Sequence, residues 1–493
     1  MRQRIHGRTF RQGYHQKHRK GRAKGKRLRG GRRGAPGMHA VGRARRKLLQ
    51  EPDLCFGRLL PHQQVVEALR RHKVVFRDCR YTPLVTLWTF LCQVLCPDQS
   101  CRAAVAHLLA FLAARGDPCA SADTGPYCKA RERVPEALVA DLARETAAKL
   151  QARCPATALL HGRPIKIADG TTVSMPDTPA NQKAYPQPPH QKPGLGFPIL
   201  RLLAVISLSC GAVLDVAMSP YSGKKTGETA LLRQLFHQFQ KGDVALADAL
   251  FANYWTLAAW IKRGVDVIAR HDGKRPLEWR VGRRLGNKDH RVVWKKPAKP
   301  CWMSRKEYHR MPATLCLREL AVTVSQPGFR SRPVVVVTSL VDAQDYPQEQ
   351  VAAAYRARWH AELDLRAIKQ VMAMEILRCK TPTMVRKEIW MHLLAYNLIR
   401  TLLADAAQTV GVTPRELSFK GALQTLNAFA PVWSSGHADQ QNRYATLLHI
   451  IASHRVGNRP DRVEPRAVKR RPRKQTFLTE PRNVARNRLI TQD

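Results

Sequence analysis

The sequence predicts an α/β protein. A mixed sheet flanked by helices is preceded by a helical N-terminal domain, interrupted by a β-rich insertion and followed by a helical C-terminal region. Three observations predict it. Apolar residues recur at three- and four-residue spacing from about residue 51 to 160, the period of helices. From about 163 the segments read β-β-β-α-β-α-β, which suggests a mixed sheet covered by helices. Between 274 and 333 a basic, Trp-containing stretch turns to alternation, and a helical pattern resumes only at about 350.

The chain of 493 residues is long enough for two or three domains, and its 44% hydrophobic content supplies an ordinary core. Its charge is not ordinary: 84 Lys and Arg against 37 Asp and Glu give +47. A field of that strength favours a polyanionic partner, nucleic acid first. No apolar run reaches the roughly 18 to 20 residues of a membrane span, and the longest, Leu202 to Leu214, contains a turn signal. The Arg-rich N-terminus has no apolar core of a secretory signal. The twelve Cys are scattered, and Cys92, Cys96 and Cys101 fit buried free thiols in a reducing cytosol better than a metal site.

Residues 1–50 carry eighteen Lys or Arg and no acid. They cannot bury a core, and they read either as a disordered nucleic-acid-binding arm or as sequence ahead of a start at Met38. Over 51–160, VVEALRRHKVVFR, PLVTLWTFLCQVL, CRAAVAHLLAFLAARG and VPEALVADLARETAAKLQARC predict helices punctuated by Pro83, Pro118 and Pro135. This helical domain suits DNA binding or a plain bundle.

The span 161–400 is the predicted catalytic domain. PIKIADGTTV predicts a strand, and FPILRLLAVISL and VLDVAMSPY two more joined tightly. ETALLRQLFHQF predicts an amphipathic helix, VALADALF a strand, YWTLAAWIKRG a helix and VDVIAR a strand. LCLRELAVTV and PVVVVTSLVD close the insertion of 274–333. A helical region over 401–455 and a basic, extended tail over 456–493 complete the chain.

Tyr355, Arg358, Glu362 and Lys369 fall within an arc of roughly 60° on one helix at about 100° per residue. Ala361, Leu365, Ile368 and Met372 form a neighbouring apolar stripe. A solvated helix laced with ion pairs would carry the same charges. Two further acids change the weighing. Asp169 ends PIKIAD before a Gly-Thr-Thr turn, and Asp248 ends an otherwise apolar strand. Either could cap a turn or a helix alone. With Glu362 they form a trio from separate elements, as metal-dependent phosphoryl transfer needs. Glu228 reads better as the opener of a helix than as an acid near the site. Lys224 and Lys225 read equally as phosphate contacts or solvated charges, Arg270 as a DNA contact from a strand end, and Asp177, Asp215, Asp243 and Asp266 as structural.

Asp169, Asp248 and Glu362, with the Tyr355/Arg358/Glu362/Lys369 signature, resemble the DDE transposases of bacterial insertion sequences, specifically the insertion sequence 4-type group. The resemblance covers roughly residues 80 to 480, including YCKARERVP, GDVALADALFANY and VEPRAVKRRPRK. Ala249 follows the second acid where members often carry Arg, which puts one phosphate contact in question. The resemblance implies a ribonuclease H-like core with a β insertion, in a bacterial, nucleoid-associated enzyme. It implies that the three acids hold two Mg²⁺ ions, with Mn²⁺ able to substitute. Cleavage at element ends would free a 3′-OH that forms a hairpin and later attacks target DNA. It assigns Arg358, Lys369 and Tyr355 to DNA phosphates, and Trp294 or Trp302 to a flipped base. The implied partners are DNA, as terminal inverted repeats and target, and a second copy in a homodimer on DNA. A domesticated or inactive DNA-binding descendant, a nuclease without strand transfer and an RNA-binding protein are the competing readings.

Overall fold

The computed structural model describes residues 57–75, 79–114, 116, 121–155, 160–324, 332–434, 440–457 and 478–491. The predicted basic arm, and nearly all of the basic segment of the tail, lie outside the described residues. Among the described residues nine strands form one sheet in the order β3-β2-β1-β4-β5-β9-β8-β7-β6.

Among the described residues five helices precede the sheet: α1 (His62–Arg71), α2 (Pro83–Leu95), α3 (Cys101–Ala113), α4 (Gly125–Arg133) and α5 (Glu136–Ala152). Thr82 and Ser100 cap α2 and α3 by accepting from the amides of Val85 and Ala103. The short α4 was not legible as a helix, because its GPYCKARER has no apolar stripe.

β1 (Ile165–Ser174) pairs antiparallel with β2 (Ile199–Ser207), which pairs antiparallel with β3 (Val213–Pro220). A short helix, α6 (Pro179–Ala184), lies between β1 and β2. After α7 (Glu228–Leu235), β4 (Val244–Ala247) runs parallel to β1. After α8 (Tyr254–Ile261), β5 (Asp266–Arg270) runs parallel to β4. These five strands match the predicted segments in order and type.

The segment expected as an insertion, with the strand that leaves it, contributes β6 (Arg283–Gly286), β7 (Asp289–Lys295), α9 (Arg305–His309), β8 (Thr314–Val324) and β9 (Arg332–Thr338). It extends the sheet rather than building a separate one, because β9 pairs antiparallel with β5. Its buried polar groups are paired among its apolar residues: Arg318 donates to both oxygens of Asp289, while Glu319 accepts from Trp294 and pairs with His290.

Alternation along the strands splits the core in two. Ile167, Val244 and Leu246 face one apolar layer, shared with the helices that precede and follow the sheet. Ala168, Ala245 and Ala247 face the other, against α7 and α8. The first layer is anchored by α12 (Pro382–Thr409), the longest helix described. Its buried Asn397 donates to the carbonyls of Ala143 and Val213 and accepts from the Val213 amide, tying α5, β3 and α12 together. α13 (Phe419–Ser434), α14 (Gln440–Ser453) and α15 (Arg482–Thr491) complete the chain. Among the described residues no helix is long and apolar enough to cross a membrane.

Candidate active site

The sequence predicts one continuous helix through Tyr355, Arg358, Glu362 and Lys369. Instead the segment changes pitch twice. α10 (Gln348–Arg356) tightens into three-residue bonding, Arg358 to Tyr355 and Ala361 to Arg358, before α11 (Trp359–Arg366) begins. After α11 a π-helical turn (Ala367–Val371) widens the coil, with the Met372 amide donating to Ala367. Tightening turns successive residues further around the axis and widening turns them less, so the two deviations offset each other. Lys369 thus returns to the side that Tyr355 faces, and the four signature residues still share one cleft.

That cleft, of about 550 Å³, is lined by Asp169, Asp248 and Glu362 together with Arg270, Tyr355, Arg358 and Lys369. Each comes from its own place in the fold. Asp169 lies within β1, opposite Ala204 of β2. Asp248 immediately follows β4, the strand beside β1. Arg270 ends β5, and Glu362 projects from α11. Parallel strands β1, β4 and β5 deliver their C-terminal portions to one edge, which is why residues so far apart in sequence meet.

Asp248 also caps the short 3₁₀ turn that follows it, accepting from the Leu250 amide at 2.9 Å. The capping role weighed from sequence and the cleft position therefore belong to the same residue. Asp169 accepts from the Gly170 amide at 2.9 Å. Arg358 donates to Glu362 at 2.7 Å and lies 3.8 Å from Asp169, so one guanidinium bridges two of the acids. Burial pushes the Asp169 carboxyl up to about 6, with Arg358 pulling it down and the charges of Asp248 and Glu362 adding to the rise. Burial likewise raises the Tyr355 phenol, against the pull of Arg358 and Arg270.

Behind the cleft, α11 is pinned by a buried ion cluster. Asp364, fully buried, pairs with Arg400 of α12 and accepts from Arg415 at 3.0 Å. Arg415 also donates to the carbonyls of Ser207 and Leu208, fixing α11 to the end of β2. Burying one carboxylate between two guanidinium groups is tolerable only with such complete pairing. Glu362 therefore projects from a rigid support.

The acids offer hard oxygen donors of the kind that divalent cations such as Mg²⁺ take. Their mutual repulsion, registered at Asp169, is what a bound cation would relieve. Among the described residues no three Asp, Glu, His or Cys side chains stand close enough together to hold a metal ion as they are placed. The donor set fits the ion, with Arg358 as the cation now between two of its members.

The family model for the transposase DDE domain matches residues 160–398, the stretch that carries all three acids. Transposase InsG for insertion sequence element IS4 of Escherichia coli is 28% identical over 335 residues, 65% of this chain and 70% of that protein. Residues 160–398 are thus a transposase DDE domain, and the chain is similar to the insertion sequence 4 transposase. By that domain it is an enzyme of DNA transposition, and metal-dependent cleavage and strand transfer are the activity of proteins that carry it. The transposase for insertion sequence element IS421 of Escherichia coli is 39% identical over 66 residues, 13% of this chain and 18% of that protein. A solved piggyBac transposase synaptic complex with hairpin DNA aligns over 81% of this chain and 85% of that chain at 10% identity and a TM-score of 0.39. A likeness that slight carries no argument here.

Not every residue singled out from the sequence of this transposase reaches the cleft. Lys224 is exposed in the loop between β3 and α7 and does not line it. Trp294 is only 4% exposed and donates its indole N–H to Glu319, which places it in the core of the insertion with no face open to a base. Trp302 is 44% exposed, with the Arg233 guanidinium 4.1 Å above its ring. Asp215, Asp243 and Asp266 are structural as read, paired with Arg144, Lys166 and Arg163.

Glu228 does open α7, as expected, but its carboxylate also lies against the backbone of Gly170, next to Asp169. Burial raises its carboxyl, Arg201 opposes this and Asp248 adds to it. The clue in the sequence was the Gly after Asp169, which leaves room for a side chain from elsewhere.

Proposed function

We propose that the cleft between β1, β4, β5 and α11 is where this transposase cuts DNA at the ends of its element and joins the freed ends to target DNA. The observation that carries the proposal is the convergence of Asp169, Asp248 and Glu362 on one cleft, ringed by Arg270, Arg358 and Lys369. The order β3-β2-β1-β4-β5, with only β2 reversed among the first four strands and β5, supports reading this part as a ribonuclease H-like core. Residues 274–333 then stand as its β insertion and 51–160 as a helical DNA-binding domain.

Asp169, Asp248 and Glu362 would hold two Mg²⁺ ions. Bound there, the ions supply Lewis acidity to the attacking and leaving oxygens and lower the pKa of a water nucleophile. The protein's own groups do the rest. Arg358 exchanges its carboxylate partners for the scissile phosphate, to which its planar fork can donate two hydrogen bonds. Lys369, 3.7 Å from Glu375 and partly exposed, offers a point charge to a neighbouring phosphate. Arg270 does the same from the end of β5. Tyr355, kept neutral by burial, donates its O–H to a phosphate oxygen. Trp302 is the better placed of the two tryptophans to stack on a flipped base, since its ring is partly open. Joining two ends in concert calls for two copies of the chain on DNA.

The test is a cleavage assay on DNA carrying the sequences that flank the gene, with Mg²⁺, wild type beside Glu362→Ala. Nicking at the element boundary by wild type alone is expected. Equal cutting by both sinks the role of Glu362, and tight binding without cutting by either points to a regulatory DNA-binding descendant. Cutting with no joined product points to a nuclease.

A further inference from the structure

The trio of acids leaves one nearby carboxylate without an assignment. Glu228, the first residue of α7, is half-buried. A β-carbon built on Gly170 would lie 2.5 Å from its carboxyl carbon and 2.6 and 2.8 Å from its two oxygens. The carboxylate thus occupies the space that any other residue at 170 would fill. Gly170 is not at a positive φ, so backbone conformation is not what calls for glycine there. What calls for it is the close approach of this acid.

A glutamate at a helix start ordinarily faces solvent and either caps a free amide or favours the helix dipole. Glu228 does neither in the usual way. It makes no side-chain cap of α7, and among the described residues it accepts no hydrogen bond and forms no close ion pair. Arg201, the cation whose charge reaches it, spends a guanidinium N–H on the Thr226 carbonyl and stacks on Tyr221. A half-buried carboxylate with no donor is costly unless a cation completes it. Asp248, whose charge reaches it, and Asp169, the neighbour of Gly170 in β1, are the acids assigned to hold cations.

Resting on the reading of the cleft given above, we propose that Glu228 is a fourth carboxylate of the metal site, admitted to it by the missing side chain of Gly170. It comes from the α7 side of the sheet, opposite to the side from which Glu362 comes, since Ala168 packs on α7 while Ile167 faces the other layer. The site is therefore gripped from both faces, and its ions are held by acids on β1, β4, α7 and α11.

The experiment is a Mn²⁺ titration followed by electron paramagnetic resonance, on the full chain with and without DNA carrying the element ends. Wild type is compared with Glu228→Gln, Gly170→Ala and Asp169→Asn, each with a thermal melt. Gly170→Ala keeps Glu228 but pushes its carboxylate away, so it decides the matter if Glu228→Gln folds poorly. The expected result is Mn²⁺ affinity lowered about tenfold in both Glu228→Gln and Gly170→Ala, with melting of the metal-free protein not lowered. Wild-type affinity in both, with Asp169→Asn defective, overturns the proposal and leaves the cleft reading intact. Wild-type affinity in Asp169→Asn, or no Mn²⁺ binding by wild type in either state, overturns the cleft reading and the proposal with it.

Discussion

Arg358 donates to Glu362 at 2.7 Å and stands 3.8 Å from Asp169, so a single guanidinium links two acids that approach the cleft from opposite sides. The same charge that steadies the metal-free site opposes a divalent ion. Arg358→Ala should therefore bind Mn²⁺ about threefold to tenfold more tightly, by the usual size of a nearby charge near a protein surface. It should nevertheless cleave DNA about a hundredfold more slowly, because the phosphate loses its clamp. Metal titration and single-turnover cleavage on the same variant check both halves.

Asp169 has a carboxyl raised to about 6 in the metal-free protein, chiefly by burial. Its folded value exceeds its unfolded one, so between about pH 4 and 6 the native state binds more protons and the metal-free protein loses stability as pH rises. The loss is complete above 6 and amounts to at most about 3 kcal/mol. Asp169→Asn should abolish this slope and melt higher than wild type above pH 6. Divalent affinity should fall as pH drops below about 6, because proton and metal compete for one carboxylate. Melting and metal titration from pH 4.5 to 8 read both effects.

Asp364 is buried between Arg400 and Arg415 and supports the helix that presents Glu362. Asp364→Ala strands two guanidinium groups and should cost about 3 to 5 kcal/mol of stability. Denaturant unfolding measures it. An unchanged midpoint would show that α11 is held by apolar packing alone.

The two candidate tryptophans, Trp294 and Trp302, should separate cleanly. Trp294→Ala removes a buried indole and the donor to Glu319, and should destabilise the protein by about 3 to 5 kcal/mol. Trp302→Ala should leave melting nearly unchanged and weaken binding of DNA ends with an unstacked base by about 1 to 3 kcal/mol. Loss of end binding in Trp294→Ala at full stability would reverse the assignment.

Strands β1 to β5 were legible because each is a short apolar run bounded by turn residues, and β4 was legible as VALA ending in Asp248. The cleft was legible because its acids sit at strand ends and its cations share a helical spacing. The two pitch changes around Arg358 and Lys369 were not, since both segments are built from residues that suit an α-helix; their bonding is set by what they pack against. The merging of the insertion with the main sheet was hidden too, because the pairing of Ile268 with Thr338 joins strands seventy residues apart. The position of Glu228 was hidden for a related reason: a residue read as opening a helix gives no sign in sequence that Gly170 lies beside it.

The central claim is that Asp169, Asp248 and Glu362 hold the divalent ions used in cleavage. The most direct measurement replaces Asp248 by Cys and compares nicking at the element end in Mg²⁺ and in Mn²⁺. A thiolate is a poor ligand for hard Mg²⁺ and a better one for Mn²⁺. If the three acids hold these ions, Asp248→Cys is inactive in Mg²⁺ and regains cleavage in Mn²⁺, while Asp248→Ala stays inactive in both. Equal failure of Cys and Ala in both metals, or full activity of either variant in Mg²⁺, would contradict the claim.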